Sequence, residues 1–166
     1  MKKETNNAMK SNINRSNARL SAVQSVYLMG VSDIGADEII RSFTAGILGG
    51  MAIQDNDDGS ETIVPLPKPD IALLSEIVHA VASNQQQIQQ VIAANLSEKW
   101  PVERLEPLLK AILKCSIAEL AFIKTSPKAV VISEYIDIAK SFYQDAEPKM
   151  VNAVLDKIAT GRGAGI

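Results

Sequence analysis

Apolar residues recur along most of the chain at the three- and four-residue spacing of amphipathic helices. This spacing predicts helices at about 14–29, 36–48, 70–96, from Pro107 to the break at Ser126-Pro127, 130–143 and 148–159. The third segment either breaks near Asn84 or continues as one helix to about Leu96. Because no segment shows sustained strand alternation, the pattern predicts an all-α fold of about six to seven helices.

The apolar residues of each segment define the face that we expect to be buried. These residues are Leu20, Val23, Val26 and Tyr27 in the first helix, Ile39, Ile40, Phe43 and Ile47 in the second, and Ile132, Ile136, Ala139 and Tyr143 in the helix at 130–143. The helix after Pro107 is apolar on both sides, which predicts a central position. Asp70 is a suitable N-cap, Ser32 or Asp33 could cap the second helix, and Gly161 is a suitable terminator after the last one.

Two stretches lack the helical pattern. Residues 51–69 are predicted to form an acidic, proline-rich loop, because Pro65, Pro67 and Pro69 forbid a regular helix there. The acidic residues around Gly59 do not have calcium-loop spacing, since Pro65 falls where a bidentate Glu belongs. The tail at 161–166 is predicted to be loose.

Charge is distributed unevenly along a chain whose formal net charge is only -2. Residues 1–19 carry five Lys or Arg and one Glu, a net charge of +4, so the remainder carries -6. A basic arm on an acidic body suggests contact with a polyanion. A solvated, disordered leader explains residues 1–14 about equally well.

The residues show no catalytic constellation. The one histidine, His79, lies on a predicted helix as a packed or rim residue, and the one cysteine, Cys115, is expected to be buried and inert. We therefore expect no enzyme activity, no metal and no cofactor. With no secretory signal and no membrane-length apolar stretch, the protein is expected to be cytoplasmic and to have no membrane partner.

Three ordered blocks of residues resemble the NusB family of transcription antitermination factors. The first block is Arg15-Ser-Asn-Ala-Arg19 followed by Ala22-Val-Gln24 and Tyr27. The second is Lys110-Ala-Ile-Leu-Lys114 with Glu119-Leu120, Pro127 and Val131-Ile-Ser-Glu134. The third is Ile138-Ala-Lys140, Phe142 and Val151-Asn-Ala-Val-Leu-Asp-Lys157. Together the blocks cover the first helix and nearly everything after Trp100.

The resemblance implies a non-enzymatic helical bundle of two packed subdomains, at about 15–97 and 98–160. It implies binding of boxA-type single-stranded RNA together with the ribosomal protein NusE, within the RNA polymerase elongation complex, and a possible homodimer. The RNA-binding residues that it implies are Lys2, Lys3, Lys10, Arg15, Arg19, Lys149, Met150 and Asn152. The protein-partner residues that it implies are Leu109, Lys110, Leu113 and Lys114.

The chain departs from the family pattern at several of these positions. Ser16 and Asn17 interrupt the arginine run, Leu109 stands where an acidic residue often faces NusE, and Met150 replaces an aromatic residue on the RNA side. We expect Tyr27 to pack in the core rather than to stack on a base. We also expect Arg19→Glu to weaken RNA binding without disturbing the fold.

Two other functions compete with this one. NusB-like domains also precede ribosomal RNA cytosine methyltransferases, although this chain ends at Ile166 without a methyl-donor-binding domain. The thinned arginine run also permits a helical protein-interaction adaptor with weak or lost RNA binding.

Overall fold

The computed structural model describes residues 2–163, with the side chains of residues 2–7 and 52 left out of the description. This part of the chain forms seven α-helices, one short 3₁₀ helix and one two-stranded antiparallel sheet. In chain order the elements are α1 (Lys2–Val31), α2 (Ala36–Thr44), β1 (Met51–Asp55), β2 (Glu61–Pro65), α3 (Ile71–Ser83), α4 (Gln85–Asn95), the 3₁₀ turn (Val102–Arg104), α5 (Pro107–Phe122), α6 (Lys128–Phe142) and α7 (Ala146–Ala159). The predicted helical class is confirmed.

Helix α1 begins much earlier than the sequence predicted. It starts at Lys2 rather than near Asn14, so the segment expected to be a flexible arm is helical. Residues such as Ala8, Met9 and Lys10 favour helix, and neither Gly nor Pro interrupts the chain before Gly30. The first turns of α1 contain few apolar residues, so the apolar spacing does not show that the helix extends to Lys2. High helix propensity can form a helix without an apolar stripe.

Helix α5 occupies the centre of the bundle, as its two apolar sides predicted. It packs against α1, α3, α4, α6 and α7. Ile112, Leu113, Cys115 and Ile117 are completely buried on it. Pro107 takes the first helical position, where its missing N–H group leaves no hydrogen bond unmade. The buried apolar side chains of the described residues form one continuous core around α5, and the predicted division into two subdomains stays a prediction.

The helical segment after residue 70 breaks at Asn84, the first of the two predicted alternatives. The carboxylate of Asp70 caps α3 by accepting a hydrogen bond from the Leu73 N–H at 3.1 Å, as predicted. The Asn84 side chain donates to the Ala80 carbonyl at 2.8 Å, so it closes α3 before α4 starts. The predicted cap of α2 was wrong, because Gly35 precedes that helix without a side-chain cap.

Residues 51–65 form a hairpin rather than the predicted loop. Strands β1 and β2 pair in antiparallel register, with Ile53 opposite Ile63. Gly59 closes the turn with φ of +79°, a backbone conformation that glycine adopts readily. Prolines exclude helix but permit a strand edge or end, which is the position of Pro65.

Two predicted buried faces need correction. Helix α2 ends at Thr44, so Ile47 lies beyond it and is 77 % exposed. In α6 the fully buried positions are Val131, Tyr135, Ile138 and Ala139. Ala139 is buried as predicted, but Val131 and Tyr135 are buried in place of their neighbours Ile132 and Ile136, because two adjacent apolar stripes on α6 satisfy the same spacing.

Helix α7 begins at Ala146, two residues before the predicted Pro148, and ends as predicted before Gly161. Gly161 has φ of +68°, and the Arg162 N–H donates to the Lys157 carbonyl at 3.0 Å, which closes the helix end. The rest of the predicted loose tail, 164–166, lies outside the described residues. Within the described range, no helix has both the length and the apolar character needed to cross a membrane.

Candidate nucleic-acid interface

A buried charge cluster lies where α1, α5 and α6 meet. The Arg19 guanidinium donates to both carboxylate oxygens of Glu119, with Nε–Oε2 and Nη2–Oε1 distances of 3.0 and 2.8 Å. Both side chains are almost inaccessible, at 3 % and 0 % exposure. This two-pronged geometry is the strongest arrangement of an arginine with a carboxylate, and it stabilises the crossing of α1 over α5.

Helix α6 completes the cluster. The Tyr135 hydroxyl donates to Glu119 Oε2 at 3.0 Å, Arg19 Nη2 donates to Ser126 Oγ at 3.1 Å, and Arg19 Nη1 lies 3.4 Å from Glu134 Oε2. Burial and the neighbouring Glu119 charge raise the pKa of Tyr135 well above its usual value. Burial alone would lower the pKa of Arg19, but the hydrogen bond and charge of Glu119 outweigh it and raise that pKa. Arg19 therefore keeps its positive charge at neutral pH.

This geometry changes the interpretation of Arg19. The residue is 2 % exposed, and its guanidinium already has a carboxylate, a hydroxyl and a second carboxylate as partners. A phosphate could reach it only by breaking the cluster. In place of the expectation that Arg19→Glu leaves the fold intact, the geometry predicts that this variant is destabilised, because it would place a second carboxylate against buried Glu119.

Lys10 and Arg15 lie at more accessible positions of α1, and Arg15 is one turn before Arg19. Lys10 is exposed. Arg15 Nη2 donates to Thr125 Oγ1 at 3.1 Å and to Ser126 Oγ at 3.0 Å, and its Nη1 lies 3.6 Å from Asp70 Oδ2. The guanidinium thus joins α1 to the starts of α3 and α6 while keeping about a quarter of its side chain exposed.

The segments beside these residues carry two further cations, which the sequence pattern did not indicate. Lys68 lines a groove with Lys10, and Lys124 directly precedes the Thr125 that Arg15 contacts. Both are exposed. We call Lys10, Arg15, Lys68 and Lys124 the basic surface. Lys68 and Lys124 are distant in sequence from α1, so only the packing of two loops against this helix places their segments beside it.

The predicted RNA residues of α7 separate into two kinds. Lys149 and Asn152 are exposed one turn apart on the same helix face, whereas Met150 is 6 % exposed and packs in the core. Since α6 starts beside Arg15 and runs to the loop before α7, the two groups lie at opposite ends of α6, about 22 Å long for its fifteen residues. The side chains of Lys2 and Lys3 lie outside the described ones.

The predicted protein-partner residues on α5 separate in the same way. Leu109 and Leu113 are 2 % and 0 % exposed and belong to the core. Lys110 and Lys114 are half-buried, one turn apart on the accessible edge of α5. A partner could contact these two lysines but not the two leucines, because the central position of α5 covers its apolar faces.

An open apolar groove of about 760 Å³ lies between α1, α2, α5 and α6. Four of the seven aromatic side chains of the chain line it: Tyr27, Phe43, Phe142 and Tyr143. Tyr27 is 37 % exposed, so the expectation that it packs in the core is wrong. The Tyr143 hydroxyl donates to Glu106 Oε2 at 3.1 Å, and burial and this carboxylate raise the pKa of Tyr143 to about 12.

Cys115 and His79, the two residues considered for catalysis, both have surroundings that indicate a structural role. Cys115 is fully buried, as expected, and burial raises the pKa of its thiol. His79 lies on the rim, where Nε2 is 2.8 Å from Asp37 Oδ1 and Nδ1 is 3.1 Å from Ser75 Oγ. Among residues 2–163 no group of three or more His, Cys, Asp or Glu is arranged to hold a metal ion.

The fold and surface define a mainly helical bundle with a buried central ion pair and with exposed cations on α1 and on the loops that pack against it. The NusB family model matches residues 16–160. The chain belongs to the NusB family.

Curated relatives match over most of both chains. The transcription antitermination protein NusB of Rhodospirillum rubrum is 40 % identical over 154 residues, which are 89 % of this chain and 83 % of that protein. The protein of the same name from Rhizobium johnstonii is 39 % identical over 156 residues, 94 % of this chain and 92 % of the relative.

Solved structures share the fold. NusB of T. maritima has a TM-score of 0.64 at 23 % identity and covers 88 % of this chain and 90 % of its own. A chain from the complex of antitermination factors NusB and NusE with double-stranded RNA has a TM-score of 0.65 at 19 % identity, covering 88 % of this chain and 96 % of its own.

Proposed function

We propose that this protein is a transcription antitermination factor that binds boxA-type RNA together with NusE and joins the RNA polymerase elongation complex in the cytoplasm. The observation that carries the proposal is the 39–40 % identity to curated NusB proteins over about nine-tenths of the chain. The role is that of a binding factor rather than an enzyme, and it needs no cofactor.

The basic surface is the proposed RNA contact. Lys10, Lys68 and Lys124 are exposed cations, and Arg15 adds a partly exposed guanidinium. Cations that neutralise phosphates release counterions, so the affinity should fall as salt rises. Lys149 and Asn152 are proposed as a second contact, and a single strand of several nucleotides can span the length of α6 between the two groups.

Arg19 has a different role in this proposal. It positions the basic surface, because its hydrogen bond to Ser126 holds the loop that Arg15 and Lys124 also use. Met150 likewise supports the start of α7 from the core. Lys110 and Lys114 are proposed as the partner-facing residues of α5, and Leu109 and Leu113 hold that helix in place.

Titration of a short boxA-type RNA at two salt concentrations, with and without NusE, tests the proposal. We expect salt-sensitive binding that tightens when NusE is present. Charge reversal with Lys10→Glu and Lys124→Glu should weaken it, whereas Lys99→Glu on the exposed loop after α4 is the matched control. A folded protein that binds no RNA under any of these conditions contradicts the proposal, and retained NusE binding would then favour the adaptor function.

A further inference from the structure

The pairing register of the hairpin shows which backbone groups lie on its outer edges. The Leu66 N–H donates to the Gly50 carbonyl at 2.8 Å, and the Asn56 N–H donates to the Ser60 carbonyl at 2.8 Å. Hydrogen-bonded and non-hydrogen-bonded pairs alternate along antiparallel strands, so the even-numbered residues between these two pairs bond across the ribbon. The backbone groups of the odd-numbered residues point away from the ribbon, on Met51, Ile53 and Asp55 of β1 and on Glu61, Ile63 and Pro65 of β2.

The two edges differ in what they offer to a further strand. In the described part of the chain the sheet has two strands, and the outward N–H groups of β1 donate to no other backbone group. On β2, Pro65 has no N–H group and interrupts the edge. The edge formed by Met51, Ile53 and Asp55, which we call the β1 edge, is therefore the one on which an added strand can form an unbroken ladder of hydrogen bonds.

The side chains beside the β1 edge are apolar and open to solvent. Met51 and Ile53 project from the same face of the ribbon and are 61 % and 67 % exposed. Ile63, directly opposite Ile53, is 66 % exposed on that face. A lone two-stranded hairpin is only marginally stable in water, and a third strand with β-branched side chains would cover these residues.

The charge of the hairpin decides which strands can pair with it. Residues 42–67 contain four Asp or Glu and no Lys or Arg. Hydrogen bonds from Ser60 lower the pKa of Asp58, so the turn is anionic at neutral pH. A second copy of the hairpin would bring four acids against four, and charges beside an edge are a common means of keeping like strands apart. A strand with Lys or Arg beside Asp55 and the turn meets the opposite charge.

We propose that the β1 edge is a docking site for an extended, basic segment of a protein partner, which adds to the hairpin as a third strand. In antiparallel register the segment places β-branched side chains beside Met51 and Ile53 and basic side chains beside Asp55 and the turn. Backbone hydrogen bonds supply the affinity, and the alternate side chains supply the specificity. The site shares no residue with the basic surface and requires no RNA, so it does not depend on the proposed function.

The probe is the synthetic peptide Lys-Arg-Lys-Thr-Val-Thr-Val, added to the isotope-labelled full chain without RNA. Amide hydrogen exchange measured by NMR reports which edge it occupies. We expect exchange of the Ile53 and Asp55 amides to slow severalfold as peptide is added, because these N–H groups become hydrogen-bonded. The Glu61 and Ile63 amides on the other edge should keep their rates, which makes them an internal control.

Two further peptides test the mode of binding. An N-methyl group on both valines removes the N–H groups that face the Met51 and Ile53 carbonyls, and it should abolish the protection. The peptide Glu-Asp-Glu-Thr-Val-Thr-Val has the opposite charge and should not bind. Added salt should weaken the binding of the basic peptide.

Proline substitutions test the edge from the side of the protein. Ile53→Pro removes an outward N–H without removing a bond between β1 and β2, and it should lower the affinity for the basic peptide roughly tenfold or more. Ile63→Pro makes the same change on the other edge and should lower it far less. Slow exchange of the inward Gln54 and Thr62 amides shows that the hairpin persists in both variants. Asp55→Lys changes no backbone group and should also weaken binding, through charge repulsion.

Four results overturn the proposal. They are unchanged exchange of the Ile53 and Asp55 amides at every soluble peptide concentration, equal binding of the N-methylated or acidic peptide, equal effects of the two proline substitutions in folded hairpins, and unchanged binding by Asp55→Lys. Protection of the same amides that grows with protein concentration in the absence of peptide also overturns it, because a second copy would then occupy the edge. None of these results bears on RNA binding, which uses other residues.

Discussion

Arg15 and Arg19 lie one turn apart on α1, and their surroundings differ completely. Arg19 is locked among Glu119, Glu134 and Ser126 in the interior. Arg15 lies at the edge, bonded to two hydroxyls and open to solvent on one side. A cation in a family motif can therefore either stabilise the fold or bind the ligand. The burial of its side chain decides which of the two roles it has.

Glu119→Ala should have the largest effect on the buried cluster. It leaves the Arg19 guanidinium buried without its main partner, which costs about 3–5 kcal/mol of unfolding free energy. Urea denaturation followed by circular dichroism measures the loss. The control is Glu134→Ala, whose carboxylate is partly exposed and should cost less than about 1 kcal/mol. Equal losses for the two variants would contradict the central role of Glu119.

Tyr135→Phe should have an intermediate effect. It removes the hydroxyl that donates to Glu119 and leaves one buried carboxylate oxygen with fewer partners, at a cost of about 1–3 kcal/mol. Absorbance titration at high pH is a second readout, because the raised pKa keeps Tyr135 protonated until the fold is lost. Removing this residue should therefore delete a tyrosine signal that appears only with unfolding.

Arg15→Ala should act on RNA binding more than on stability. We expect the affinity for a boxA-type RNA to fall roughly fivefold, about 1 kcal/mol, and the salt slope to decrease by about 0.7 for a single strand. Titrations at several salt concentrations measure both quantities. Lys99→Ala removes an equivalent exposed charge elsewhere, and an identical loss for that variant would show that only net charge matters.

His79→Ala should have a small effect confined to acid pH. The hydrogen bond and charge of His79 lower the pKa of Asp37 below its usual value of about 3.9. The pair therefore stabilises the fold above that pH, and the contribution is lost as the pH falls through the lowered value. Thermal denaturation at stepwise lower pH should show a slightly steeper decline for the wild type than for His79→Ala, and Asp37→Asn should behave like His79→Ala.

Replacing the whole buried cluster should change RNA binding least. The triple variant Arg19→Met, Glu119→Leu and Tyr135→Phe exchanges an ion pair and its hydroxyl for apolar groups of similar size, an exchange that folded proteins often tolerate. We expect it to fold and to lose less RNA affinity than Arg15→Ala does, because Arg15 still donates to Thr125 and Ser126 when the bond from Arg19 to Ser126 is gone. A folded triple variant with strongly reduced RNA affinity would indicate that Arg19 itself contacts the RNA.

Much of the helical architecture follows from local patterns, and the exceptions have identifiable causes. Asp70, Pro107 and Gly161 mark helix ends as predicted, because capping and backbone restrictions act over a few residues. The break at Asn84 is one of the two alternatives that the sequence left open. The hairpin was missed although Asp58-Gly59 lies between two short alternating segments, a known hairpin signal. Pro65, Pro67 and Pro69 exclude a helix there, but they allow a strand that ends at Pro65.

The sequence also contains enough information to predict that Glu119 is buried. Lys110 and Lys114 lie one turn apart on α5, and Glu119 is nine residues after Lys110, about 180° around the helix. A carboxylate opposite the polar edge of an otherwise apolar helix must be buried, and a buried carboxylate needs a cation. What the sequence could not identify was which cation.

By itself the sequence determined the helical class, several of the helix ends, the central place of α5 and the family, because these depend on local spacing and ordered motifs. Only the tertiary structure decided that Arg19 pairs with Glu119, that Lys68 and Lys124 join Lys10 and Arg15, and that Leu109 and Leu113 are core. Pairing across about a hundred residues of chain depends on how helices pack in three dimensions. Helical periodicity gives the direction of each side chain from its own axis but not the neighbour that it meets.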